Sequence, residues 1–115
     1  MGHTEPPLLG EVEQLVLLAV LRLDGEAYAV PVRHLIQRDA GVTLLRGSIY
    51  VTLERLERKG YVQSWFSEPT GQRGGKARRL FRLRPAGVSA LKASRRAVDR
   101  LAAGTVAARP EGKYS

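Results

Sequence analysis

Between Arg46 and Tyr61 the chain carries a single apolar stripe and then a hard stop, followed by a short strand, a glycine-rich basic hairpin and a second short strand. Ile49, Leu53 and Leu56 recur at helical spacing, so one face packs inward and the other is free to meet a partner. Gly60 ends the helix, because a residue without a Cβ enters the left-handed C-terminal conformation at no steric cost. Val62-Gln63-Ser64-Trp65-Phe66 then reads as a strand, Thr70 to Ala77 as a flexible glycine-rich tip, and Arg79-Leu80-Phe81-Arg82-Leu83 as the returning strand.

The rest of the chain supplies helices around this unit. Residues 1–9 contain Pro6-Pro7 without periodicity and read as a flexible arm. Gly10 to Leu23 reads as a first helix that is apolar almost all round: Val12, Val16, Ala19 and Leu23 on one side, Leu17, Leu18 and Leu21 on the others. Such a helix must be covered on most faces, and in so small a domain a second subunit is a natural cover. A second helix follows to about Ala40, with Pro31 near its start and Val32, Leu35 and Ile36 as its buried stripe. Leu44 or Leu45 anchors the turn into the next helix. The last helix runs from Pro85 to about Ala103, with a short Leu91, Ser94, Val98, Leu101 seam that cannot be stable unpacked. The expected architecture is mainly α with a small β-wing (α+β). It is a winged helix-turn-helix over residues 10–84, a dimerisation helix over 85–104 and a disordered tail over 105–115.

Charge is spread unevenly. Residues 1–45 hold three basic and six acidic side chains, while residues 46–115 hold sixteen basic and five acidic ones. The positive field therefore lies on the helix and wing, where a phosphate backbone is the natural partner. The absence of cysteine excludes a disulfide framework and fits a cytoplasmic location. The longest apolar run, Leu15 to Leu21, is far short of the ~20 residues a membrane span needs. No catalytic, metal-binding or cofactor motif is present: His34 has no second histidine at i+4, Gly-X-Ser-X-Gly is absent, and the Gly71–Lys76 stretch lacks the phosphate-loop pattern. An enzyme is not expected.

On the free face of the 47–60 helix, Ser48, Val51, Thr52 and Arg55 fall on one flank, where hydroxyls, a methyl contact and a guanidinium can address bases or phosphates. Glu54 and Glu57 fall on the other flank, where they repel phosphate. In the 62–83 wing, Arg73, Lys76, Arg78 and Arg79 cluster at the tip and the start of the return strand, suited to phosphates or a minor groove. Phe81 and Leu83 share the inward face. Val16, Leu17, Val20, Leu91, Val98 and Leu101 are the candidate dimer contacts.

Read in order, the chain resembles the PadR family of bacterial transcriptional regulators. The matching residues are Gly25 to Tyr28, Gly47-Ser48-Ile49-Tyr50, Leu53 to Val62, Ser64-Trp65 and Phe81 to Gly87. The resemblance implies a homodimer held by the first and last helices, binding to a palindromic double-stranded DNA operator, and repression of adjacent genes. It also implies release by a small aromatic or drug-like ligand, and a role for Tyr50 near the DNA backbone. Ala29-Val30-Pro31, Val51 and Arg84 depart from the family's usual residues, and the short last helix matches its small subfamily. The alternative is a winged-helix protein-interaction module without operator binding, which an even charge distribution would have favoured.

Overall fold

The computed structural model describes residues 8–68 and 77–105. Four helices, α1 (Glu11–Leu23), α2 (Ala29–Ala40), α3 (Arg46–Arg58) and α4 (Pro85–Ala102), enclose one core, and strands β1 (Val62–Phe66) and β2 (Arg79–Leu83) stand between α3 and α4. Each element lies within two residues of its expected limits, since strong punctuation sets the ends. Gly41 (φ 72°) closes α2 in the left-handed conformation. After α3, Gly60 (φ 81°) lets the Tyr61 N–H turn back to the Leu56 carbonyl at 2.9 Å, which aims the chain straight into β1.

The strands pair antiparallel, Val62 opposite Leu83, Ser64 opposite Phe81 and Phe66 opposite Arg79. With a period of two, Arg79, Phe81 and Leu83 share one face, and Phe81 is fully buried. The Phe81 N–H also donates to the Ala27 carbonyl at 2.8 Å, so the lead-in to α2 pins the return strand to the helical body.

The core joins Val16, Leu17 and Val20 of α1, Val32 and Ile36 of α2, Ile49, Leu53 and Leu56 of α3, Phe81, and Ala90 and Leu91 of α4. Residues 85–104 are thus no separate appendage to the 10–84 unit. The first half of α4 completes the same core, and only its second half projects. Its start is fixed by close approach: the Arg84 N–H donates to the Tyr61 carbonyl at 2.9 Å, and Gly87 lies directly against that backbone.

One local expectation is revised and one open choice is decided. Leu9, placed in the arm, is buried, and its N–H donates to Ser94 Oγ at 2.9 Å. Leu44 packs on the core while Leu45 is exposed, and the Leu44 carbonyl accepts from Arg33 Nε at 2.7 Å, which sets the α2–α3 turn.

Candidate nucleic-acid interface

The outer side of α3 carries Ser48, Val51 and Arg55, all exposed, and with Val12 and Gly47 these line a shallow groove against α1. Thr52, expected on that flank, is only 4% exposed. It sits one turn from Leu56 and Ile49 at the margin of the buried stripe, and the core takes it in. The exposed residues of this flank are therefore Ser48, Val51 and Arg55, Thr52 lines the same groove while mostly buried, and Tyr50 is exposed on the other side of the helix.

Glu54 and Glu57 are both paired. Arg79 reaches back from β2, Nη1 to Glu54 Oε2 at 2.5 Å and Nη2 to Glu57 Oε1 at 2.6 Å. The second oxygen of Glu57 accepts from the Ser64 N–H at 3.2 Å and from its hydroxyl at 2.7 Å. The Glu54 hydrogen bond holds the Arg79 guanidinium above its ordinary pKa, and Arg79 in turn holds the Glu54 carboxyl below its own. Arg79, expected among the phosphate contacts, is thus engaged within the protein. The pattern offered a signal: Phe81 and Leu83 point inward, so Arg79, two residues before Phe81, must as well.

Other cations remain available. Arg55, Arg58 and Arg78 are exposed and form no ion pair among the described residues. Arg78 is held at the wing root, its N–H donating to Ser67 Oγ at 2.9 Å and its guanidinium 4.7 Å from the centre of the Tyr28 ring. Arg82 lies 5.2 Å over the Trp65 ring, which occupies that tryptophan on the wing. Arg73 and Lys76, with most of the expected wing tip, lie outside the described residues.

Behind α3, Glu13 is buried at the end of α1, where Lys59 Nζ approaches Oε2 at 2.8 Å and the Gly10 N–H donates to Oε1 at 3.1 Å. Burial pushes this carboxyl up. The Lys59 and Gly10 hydrogen bonds, with the nearby charges of Lys59 and Arg55, outweigh it and leave the pKa below the ordinary value. The pair anchors the C-terminus of α3 to the N-terminus of α1.

The candidate dimer residues divide in two. Val16, Leu17, Val20 and Leu91 are buried within the single chain, so self-packing already accounts for them. Val98 and Leu101 are 59% and 79% exposed. Val98 borders an apolar trough lined by Leu15 and Leu18 of α1, with Ala40 and Val42 at the end of α2. A second depression continues from Leu15 and Leu18 to Leu35 and Ile36. Among the described residues no three His, Cys, Asp or Glu side chains gather as metal ligands, and no helix is long and apolar enough to cross a membrane.

This arrangement recurs in solved structures. The Streptococcus mutans UA159 protein smu.1704 superposes with a TM-score of 0.67 at 20% identity, over 100% of this chain and 98% of that one. A PadR-like transcription factor from Bacteroides fragilis gives 0.65 at 22% identity, over 78% and 82%. Bacillus subtilis PadR, solved in complex with operator DNA, gives 0.59 at 19% identity, over 72% of this chain and 46% of that one. No curated protein matches the sequence. The family model for PadR-like transcriptional regulators matches residues 17–93, from mid-α1 to the buried half of α4, and the chain belongs to that family.

Proposed function

We propose that the chain is a homodimeric repressor that binds a palindromic operator, with Ser48, Val51 and Arg55 of α3 at base edges and Tyr50, Arg78 and the wing tip, including Arg73 and Lys76, at the backbone. The observation that carries this is the charge layout of one surface. The exposed flank of α3 keeps free arginines, while its two carboxylates are drawn aside by Arg79. A surface so arranged can enter a phosphate-lined groove with less like-charge repulsion than two open carboxylates would bring. The operator complex of Bacillus subtilis PadR supports the same use of the fold.

A two-fold dimer would cover Val98, Leu101 and the Leu15–Leu18 trough, and would set two α3 helices about one DNA turn apart, ~34–36 Å. A small aromatic or drug-like ligand entering that apolar seam would change the spacing and release the DNA. The test is selection of binding sites from random duplexes with the full chain, followed by affinity measured against salt. Enrichment of an inverted repeat, with log affinity falling steeply and linearly with log salt, is expected. Recovery of no common site, with only weak salt-dependent binding, would refute operator recognition.

A further inference from the structure

Each of the three guanidinium nitrogens of Arg79 has a partner within the protein. Nη1 and Nη2 hold Glu54 and Glu57, one helical turn apart on α3, and Nε reaches the Ser64 hydroxyl of β1 at 3.3 Å. The Phe81 ring centre lies 5.0 Å from the guanidinium, so the fork is confined on that side as well. One side chain of β2 thereby ties both strands to the recognition helix. Its neighbour Arg78 is exposed and stacked outward on Tyr28.

We infer that Arg79 is a positioning residue and not a phosphate contact: it locks the wing root to the C-terminal half of the recognition helix and offsets the two carboxylates that would otherwise face the DNA. This rests on the operator-binding reading above. The wing and α3 then meet the duplex as one rigid unit. The offset between base readout on α3 and backbone contact by Arg78 is set by the Glu54–Arg79–Glu57 bridge, not by the hairpin. Arginine is required, because a lysine ammonium cannot hold two carboxylates and a hydroxyl in one plane.

The experiment is a double-mutant cycle in the full-length protein: R79Q, E54Q/E57Q and the triple variant, each measured for operator affinity, for its salt dependence, and for urea stability without DNA. If Arg79 acts through the carboxylates, R79Q weakens operator binding roughly ten-fold in the native background. In the E54Q/E57Q background the same change costs less than about two-fold and leaves the salt slope unchanged. An equal loss in both backgrounds, with the slope lower by ~0.9, would mean that Arg79 touches phosphate and would overturn the inference.

Should R79Q alone unfold, the triple variant against E54Q/E57Q still decides, because glutamines at all three positions keep hydrogen-bonding groups in place. The urea series decides independently of DNA: coupling between position 79 and the carboxylates supports the bridge, and strictly additive effects overturn it. A wild-type chain that selects no operator defeats the proposed function, while the urea series still tests the bridge without DNA.

Discussion

Replacing Gly87 by alanine should destabilise the protein, although the same change in a helix normally does the reverse. A Cβ at this position would lie 2.2 Å from the Tyr61 carbonyl oxygen, 3.0 Å from its carbon and 3.2 Å from its Cα. Ordinary carbon–oxygen contacts are no closer than ~3.3 Å, so the two backbones must part by about 1 Å. No flexible side chain can yield, because all three atoms are main chain. The same carbonyl accepts the Arg84 N–H, and parting strains or breaks that bond at a cost of about 1 kcal/mol. Overpacking adds about 1–3 kcal/mol, while the better helix propensity of alanine returns about 1 kcal/mol. The net expectation is a loss of roughly 1–3 kcal/mol, read as a lower urea midpoint with an unchanged m-value. Gly47→Ala is the control. Nothing lies within 4 Å of its Cβ, so it should be neutral or stabilise by up to about 1 kcal/mol. A Gly87→Ala protein as stable as wild type would show that α4 does not sit on Tyr61.

The Glu13 carboxyl, lowered from an ordinary 4.5, contributes stability that is present above that value and lost as pH falls through the folded-state pKa. Glu13→Gln should therefore flatten the acid limb of a stability–pH curve below about pH 4.5, and an unchanged limb would discount the Lys59 pairing. Aspartate at both Val98 and Leu101 places charge on the exposed end of α4. Sedimentation should then report monomers or insoluble protein with operator affinity near the non-specific level, and a folded, operator-binding dimer would put the interface elsewhere. Arg55→Ala should cost ~1–3 kcal/mol at the operator and relax preference at one position per half-site. An equal loss on random duplexes would leave Arg55 as a phosphate clamp.

The elements were legible because each stripe and stop belongs to local chemistry. Ile49, Leu53 and Leu56 fix the face of α3, and glycines fix where α2 and α3 turn. The site was legible in part. A helical wheel cannot decide a marginal position such as Thr52, whose burial depends on how closely α1 approaches. It also cannot show that Glu54 and Glu57 are answered by a residue more than twenty positions away, although strand alternation already turned Arg79 inward. Val16, Leu17, Val20 and Leu91 looked like surface in need of a partner because the wrapping of α1 by β2 and α4 is a long-range fact. The apolar residues left exposed are Val98 and Leu101, beyond the point where α4 leaves the core, beside the trough that Leu15 and Leu18 line.

The hydrogen bond from Leu9 to Ser94 also has a meaning in time. It joins positions 85 apart, so the segment leading into α1 is pinned only once α4 is in place, whereas α2, α3 and β2 cover the body of α1 without it. Without Ser94 the buried Leu9 N–H would lose its acceptor, and the entry to α1 would loosen while the helix itself stays packed, so protease sensitivity should rise first near Leu9.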